Sequence, residues 1–490
     1  MRNQTLGMLT DSIAALPSSM SSVVPEVLSL DSRAINRGDA FVAVKGADAD
    51  GRRYINDALS QGAVAVLAEA EGLTHQDPRV IPVVGLKSHL GELARRFYAD
   101  PSKDLCVIAV TGTNGKTSIS DYTGQLLRLL GTSAGTIGTL GARTKSADAA
   151  DAKNTTPDVF TLNKHLATWR NQGVKYAAIE ASSHALEQGR LDGLSVHTGV
   201  FSNLTRDHLD YHGDLEAYRQ AKLRLFTEFM PERVIYNFDD TATVDARNSA
   251  KGHSFGLSST DASADVFIKL SNDCSAGLAF QVQSPFGTAE ITTGLHGQFN
   301  AFNVTAAIMT VCGLGFTFKD VANAAHHLRS VEGRMQVVKG GGDTRVVVDF
   351  AHTPDALDSA LTALSQSCTG DLWAVFGCGG DRDVGKRSEM GRVAQVLADR
   401  VVVTNDNPRS EDPLRIAQAI TAGCSGDGIH IELDRAEAIR YAIRSAKAGD
   451  TVLVAGKGHE TYQQIGTERR PFSDVVCAEQ ALREREGVVQ

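Results

Sequence analysis

Short apolar runs, each closed by a polar or glycine-marked turn, recur along the chain, and their rhythm changes twice. Over about residues 1–103, FVAVKG from Phe41, AVAVLAEA from Ala63 and VIPVVG from Val80 alternate with helical patterns. This predicts a small α/β unit closed by the turn-prone Asp100-Pro101-Ser102. From about 104 to 337, the apolar run LCVIAV (105–110) leads through a Gly-rich turn into a helix reaching Leu130. VKYAAIE (174–180) and TGVFSN (198–203) predict further buried strands. VFIKL, LAFQVQ and AEITT alternate with period two and predict an antiparallel patch on an otherwise parallel sheet. From about 338 to 490, RVVVDF, DLWAVF, RVVVT and TVLVAG alternate with helical segments, a doubly wound α/β pattern. The three stretches are read as three domains, 1–103, 104–337 and 338–490, with candidate hinges near 101–104 and in the Gly-rich 336–343.

Composition narrows the function classes. Hydrophobic residues make up 42% and charged residues 22%, an ordinary globular mixture. A net charge of -9 argues against a broad nucleic-acid footprint. No run of about 18 apolar residues is present, so no membrane-spanning helix is expected. The first twenty residues carry Asp11 and lack a continuous apolar core, which makes a poor secretory signal. Seven scattered cysteines without a C-x-x-C pair fit reduced thiols in a cytosol. The polar segment 141–156 reads as a loop.

The chemistry concentrates at strand ends. Thr111-Gly112-Thr113-Asn114-Gly115-Lys116-Thr117-Ser118 follows a strand and opens a helix, the context of a phosphate loop. Glycines let backbone N–H groups curl around phosphate oxygens, Lys116 reaches the terminal phosphates and Thr117 offers a hydroxyl to Mg²⁺. Val110 replaces the first glycine of the longer consensus, so the loop is a short variant. Glu180, at a strand end, is a natural Mg²⁺ ligand; a plainer reading makes Ser182 and Ser183 a helix cap beside it. Asn203 to His212 packs two histidines and two aspartates into a few residues, with His208 as a metal-ligand candidate or part of a solvated turn. Lys222, on the helix AYRQAKLRLFTEF, reads from its residues alone as a surface lysine. In the last stretch every strand runs into decorated sequence: DFAHTPDAL, GCGGDRDVGKR, NDNPRSEDP and GKGHETY. Parallel sheets bind ligands at those ends. In NDNPRSEDP a Pro turn with Ser410 as helix N-cap and Pro413 in the first turn accounts for Asn, Pro and Ser, but not for Arg409.

Ordered blocks along nearly the whole chain resemble the Mur ligase family, ATP-dependent amide-forming enzymes of bacterial cell-wall synthesis. They include DSR…GDAFVAVKGADADGRRYI (31–55), TGTNGKTS, NTTPD (154–158), EASSHALEQGRL (180–191), SNLTRDHLDYHG (202–213), HGQFNAFN (296–303), EGRM (332–335), DNPRSEDP (406–413) and AGKGHE (455–460). Within the family the chain is most similar to the ligases that add the third residue to UDP-N-acetylmuramoyl-L-alanyl-D-glutamate. The resemblance implies a UDP-binding N-terminal domain, a central P-loop ATPase-type domain with a mostly parallel sheet, and a Rossmann-like C-terminal domain. It implies ATP at Gly112, Thr113, Asn114, Gly115, Lys116, Thr117, Ser118, Asn300, Arg334 and Asp349. It further implies Mg²⁺ on Thr117, Glu180, His208 and Lys222, the last as an N-carbamate, which reverses the surface reading of that lysine. Lys116, Glu180, His208 and Lys222 are the implied catalytic set. Leu30, Ser32, Ala47, Asp48, Asn154, Thr155, Thr156, Ser182, Gln188 and Arg190 match contacts to the UDP-muramoyl dipeptide. Arg382, Asp406, Asn407, Pro408, Arg409, Gly456 and Glu460 match an amino-acid site. Two positions depart from the family pattern: Phe350 where Tyr is common, and Glu332 where Pro is common.

The implied reaction is amide synthesis through an acyl phosphate. A carboxylate is a poor electrophile, so ATP phosphorylates it before an amine attacks. In the family, DNPR accompanies meso-diaminopimelate rather than lysine. Arg409 supplies a planar fork for the distal carboxylate that lysine lacks, and Glu460 can accept bonds from the distal ammonium. The alternatives are a lysine-adding ligase, a folylpolyglutamate-type ligase sharing the short phosphate loop, and a catalytically silent nucleotide-binding homologue. The expected partners are small molecules, with neither nucleic acid nor membrane, and the expected form is a cytoplasmic monomer.

Overall fold

The computed structural model describes residues 4–46, 49–144, 154–271, 277–340, 343–425, 428–485 and 487. Three main sheets organise them. A parallel four-stranded sheet is ordered Leu28–Ser29, Ala40–Ala43, Ala65–Glu69, Val80–Val83. A ten-stranded sheet has the strand Cys106–Thr111 near its middle, flanked by Tyr176–Glu180 on one side and Val196–Phe201 on the other. A six-stranded sheet runs Gln336–Val338, Arg345–Asp349, Thr451–Ala455, Leu372–Phe376, Arg400–Val403, Ile429–Ile431.

The continuous apolar runs follow from burial on both faces. Along Cys106–Thr111, Ile108 and Val110 join one core with the helices Lys116–Leu129 and Phe299–Gly313. Val107 and Ala109 join the opposite core with the helices Val159–Asn171 and Leu215–Thr227. The last sheet repeats the arrangement: Val347 and Leu453 face one core, while Val346, Val348, Val452 and Val454 face the other. In the first sheet Val42 and Leu67 face one core and Phe41 and Val66 the other. Each large apolar side chain so buried contributes about 1.5–3 kcal/mol.

The alternating segments form the predicted antiparallel arm: Leu278–Ser284 pairs antiparallel with both Val266–Leu270 and Gly287–Thr293. Val266 and Ile268 point inward while Lys269 is exposed, as period two requires. The Gly-rich stretch proposed as a hinge begins as a strand. Gln336–Val338 pairs antiparallel with Arg345–Asp349 as an edge strand of the last sheet. The three-residue edge strands and the hairpin Tyr462–Ile465/Glu468–Pro471 escape the sequence pattern because they are short and half-exposed. Among the described residues no helix is long and apolar enough to cross a membrane.

Candidate active site

The phosphate-loop strand occupies the point where its neighbours lie on opposite sides, which opens a crevice beyond its carboxyl end. Two glycines shape the turn. Gly112 has φ +146°, and a Cβ there would lie 1.9 Å from Ser202 Oγ. Gly115 has φ +87° and gives the helix Lys116–Leu129 no side-chain cap, leaving its first-turn N–H groups for an anion. The loop is pinned from behind: Thr113 N–H donates to the Asn203 carbonyl at 2.9 Å and Asn114 N–H to Asn203 Oδ1 at 2.8 Å. Lys116 Nζ donates to the carbonyls of Gly112 and Thr113, both at 2.8 Å. Ser118 is buried in the first turn.

Lys222 is not a surface lysine. It is 1% exposed, and its Nζ donates to the same Gly112 carbonyl at 2.7 Å and lies 4.3 Å from the Tyr218 ring centre. The helix explains the placement: Lys222 stands four residues from both Tyr218 and Phe226, on the buried face. Burial pushes Lys116 below its ordinary pKa, and pushes Lys222 well below, with the neighbouring Lys116 adding to the effect.

Glu180 ends its strand 2% exposed. Its carboxylate accepts bonds from Thr117 Oγ1 at 2.9 Å, from Thr139 N–H at 2.9 Å and from Thr139 Oγ1 at 3.0 Å. Gly138 makes room, since a Cβ there would sit 2.0 Å from Glu180 Oε1. From the last sheet's side, Arg334 donates to Thr117 Oγ1 at 3.1 Å and stacks 4.4 Å over the Phe350 ring. Buried Asp349 accepts the N–H groups of Met335 and Ala351, and burial raises its pKa. Asn300, 3% exposed, donates to the His296 carbonyl and accepts from Asn303.

The Asn203–His212 segment contacts the last sheet while keeping solvent-exposed positions at Arg206, Asp210 and Tyr211. His208 has left-handed backbone, φ +54°, and its Nε2 lies 3.3 Å from Asp207 Oδ2. Burial pushes the His208 pKa down to about 3, so the ring is neutral near pH 7 and has a lone pair to offer. Asp207 also faces His352 at 3.7 Å and Lys386 at 3.9 Å, and Arg206 pairs with Asp383 at 3.1 Å and Glu389 at 3.3 Å. Asn114 Nδ2 to Asp355 Oδ2, 3.0 Å, adds another crossing contact. The carboxyl ends of the two sheets therefore face one another.

The oxygen donors suit a hard divalent cation. Thr117 Oγ1 and the Glu180 carboxylate already touch, and His208 and Lys222 both pack against Tyr218. Among the described residues no group of three or more His, Cys, Asp or Glu could hold a metal alone. A cation here would share its shell with other oxygen donors, as Mg²⁺ does with substrate phosphates. Lys222 as an ammonium does not fit such a shell; as a carbamate it would.

A cleft of about 1480 Å³ runs from the first sheet to the central one. Leu30, Ser32, Asn154, Gln188 and Arg190 line it, while Ala47 and Asp48 lie outside the described residues. Arg190 donates to Gln188 Oε1 at 2.6 Å and to the Thr156 carbonyl at 2.8 Å. Thr156 Oγ1 donates to the Glu180 carbonyl at 2.5 Å, and Thr155 Oγ1 lies 3.3 Å from Thr139 Oγ1. Ser182 caps the helix Ser183–Glu187, so the capping reading holds there.

At the last sheet, Asp406, Asn407, Pro408 and Arg409 follow the strand Arg400–Val403. Arg409 has φ +49°, which a non-glycine residue adopts only when its surroundings impose it. The hairpin imposes it: Arg409 N–H donates to the Gln464 carbonyl at 3.2 Å, and Gly466 N–H donates to the Arg409 carbonyl at 2.7 Å. Its half-buried guanidinium donates to the Gly380 carbonyl at 2.6 Å, and burial, then nearby Arg382, lowers its pKa. Arg382 reaches toward Asp210 of the central domain at 4.0 Å. At Gly456, φ +117°, a Cβ would lie 2.8 Å from Asp406 Oδ2. Asn407 Nδ2 donates to Glu460 Oε2 at 2.9 Å. The predicted cap is corrected: Ser410 donates to Asp381 Oδ1 at 2.6 Å, and Asp412 caps the helix Pro413–Thr421 because its carboxylate reaches the Leu414 N–H at 2.8 Å.

Sequence reasoning misses several participants. Arg435 and Asp474 form an ion pair at 2.7 Å with both side chains 0% exposed. Arg435 also donates to the carbonyls of Asn405 and Ala455, tying two strand ends together. Thr139 and Lys457 are likewise unannounced, although a lysine directly after the buried TVLVAG run is itself a signal.

Comparison with known proteins agrees across the chain. Residues 26–98 match the model described as the Mur ligase family catalytic domain, 110–311 the Mur ligase middle domain and 333–458 the Mur ligase glutamate ligase domain. The UDP-N-acetylmuramoyl-L-alanyl-D-glutamate--2,6-diaminopimelate ligase of Coxiella burnetii is 42% identical, with 94% of this chain and 96% of that one covered. The protein of the same name from Chromobacterium violaceum is 44% identical, with 92% and 93% covered. A solved structure of a 2,6-diaminopimelate ligase of that name superposes with TM-score 0.68 at 37% identity, covering 96% and 97%. A MurF ligase from Thermotoga maritima in complex with ADP shares the fold, with TM-score 0.66 at 19% identity, covering 94% and 97%.

Proposed function

This chain belongs to the Mur ligase family, and from that premise we propose that it adds meso-diaminopimelate to the D-Glu γ-carboxylate of UDP-N-acetylmuramoyl-L-alanyl-D-glutamate at the expense of ATP. The observation that carries the reading is the apposition of two strand-end sites, one anion-seeking and one amino-acid-shaped, joined by Arg334–Thr117 and Lys386–Asp207. With the carboxylate activated at the first and the amine held at the second, positioning of this kind would supply much of the rate.

Gly112 to Ser118 cradle the phosphates, and Lys116 offsets the repulsion between the γ-phosphate and the incoming carboxylate. Asn300, Arg334 and Asp349 serve the nucleotide. The carboxylate attacks the γ-phosphorus, ADP leaves, and the amine then attacks the acyl carbon as phosphate departs. Thr117, Glu180, His208 and carbamylated Lys222 would hold Mg²⁺, which supplies charge neutralisation for the phosphates when bound. The depressed pKa of Lys222 supports the modification: a neutral amine adds to CO₂, giving the carbamate and releasing one proton. Leu30, Ser32, Ala47, Asp48, Asn154, Thr155, Thr156, Ser182, Gln188 and Arg190 serve the UDP-muramoyl dipeptide. The acceptor is met by Arg382, Asp406, Asn407, Pro408, Arg409, Gly456 and Glu460. The enzyme works as a cytoplasmic monomer.

The test is the intact mass of the product made from ATP, Mg²⁺, the UDP-muramoyl dipeptide and an equimolar mixture of meso-diaminopimelate and L-lysine. The diaminopimelate adduct is expected. A lysine adduct overturns the acceptor, and phosphate release without the UDP-sugar overturns the donor.

A further inference from the structure

We propose that Lys457 is a specificity-determining positioning residue, which neutralises Glu460 from behind so that a bare ammonium gains little from that carboxylate. Lys457 is 0% exposed, directly beyond the strand Thr451–Ala455. Its Nζ donates to Glu460 Oε2 at 2.6 Å and to Asn407 Oδ1 at 3.1 Å. Asn407 closes the triangle by donating to the same Glu460 oxygen at 2.9 Å. Asn407 Oδ1 also accepts the Gln464 N–H at 2.8 Å, which ties the triangle to the hairpin beneath Arg409.

The arrangement has an electrostatic consequence. Glu460 Oε2 is occupied from two sides, and its charge is matched by a cation that solvent cannot reach. Only Oε1 is left to meet an incoming group. For an acceptor whose distal head is a zwitterion, this suffices: its carboxylate meets the Arg409 fork while its ammonium takes one bond from Oε1. An acceptor ending in a lone ammonium would need the full carboxylate charge to offset its desolvation, and Lys457 withholds it. Exclusion therefore has two parts, an arginine left unpaired and a carboxylate already neutralised.

This inference rests on the proposed acceptor, and the experiment separates the two. Steady-state kinetics are measured for wild type, Lys457→Met, Lys457→Arg and Lys457→Met/Glu460→Gln, with meso-diaminopimelate and with L-lysine. In Lys457→Met the kcat/KM for L-lysine is expected to rise, and the preference for meso-diaminopimelate over lysine to fall roughly tenfold, the scale of one charge-assisted hydrogen bond. KM values for ATP and the UDP-muramoyl dipeptide stay unchanged. Lys457→Arg keeps the preference. The double variant regains the preference while its KM for meso-diaminopimelate rises, because it lacks the Glu460 carboxylate, and this variant carries the test if Lys457→Met does not fold. An unaltered preference in Lys457→Met, or in its absence a double variant that accepts lysine as readily as meso-diaminopimelate, overturns the proposal. Wild type that ligates neither diamine overturns the acceptor reading instead.

Discussion

The two strand-end sites handle charge in opposite ways. Around the Gly112 carbonyl, half-buried Lys116 and buried Lys222 sit side by side, and among the described residues neither is ion-paired with a carboxylate. At the last sheet the buried cations are matched: Arg435 with Asp474, Lys457 with Glu460 and Arg387 with Glu411. At the first end the lysines bond to backbone carbonyls, while the buried carboxylates Glu180, Asp207 and Asp349 are held by other groups. The second is internally balanced, with each of these cations paired to a carboxylate. Unpaired buried charge costs stability that ligand binding returns; paired buried charge is retained for geometry.

The contrast can be broken at several points. Lys222→Ala is expected to lower turnover by about a thousandfold while ATP still binds; short carboxylic acids should restore part of the rate, read as phosphate release. Stability should respond asymmetrically. Asp474→Ala strands the Arg435 guanidinium and should cost about 3–5 kcal/mol in urea unfolding, whereas Lys116→Met removes a half-buried lysine that pairs with no carboxylate and should hold or raise the midpoint. Arg409→Lys keeps the charge but loses the fork, and should raise the KM for meso-diaminopimelate by about tenfold or more with the KM for ATP unmoved. The smallest effect belongs to the bridge between the sites. Arg206→Glu, facing Asp383 and Glu389, should lower kcat by about two- to fivefold, the scale of a half-exposed ion pair, and Asp383→Arg in the same chain should return it.

The sheets were legible because burial on both faces leaves unbroken apolar runs, and the antiparallel arm because one-sided burial leaves alternation. Edge strands such as Gln336–Val338 were not, since three residues carry no period, and a Gly-rich turn resembles a linker. The phosphate loop was legible from glycine spacing. Lys222 was read from composition as exposed, although its four-residue distance from Tyr218 and Phe226 already placed it on the apolar face. The Arg435–Asp474 pair joins residues 39 apart in the chain, and no local pattern announces such a meeting.

The left-handed backbone at Arg409 reaches beyond one pocket. Both its peptide groups are gripped by a hairpin whose outer strand, Glu468–Pro471, is wholly exposed. The arginine proposed to set acceptor preference is thus anchored in a surface ornament far along the chain. Transplanting the DNPR tetrapeptide into another scaffold without that ornament would let the arginine relax and lose its aim; diversification of the acceptor must exchange both segments as a unit.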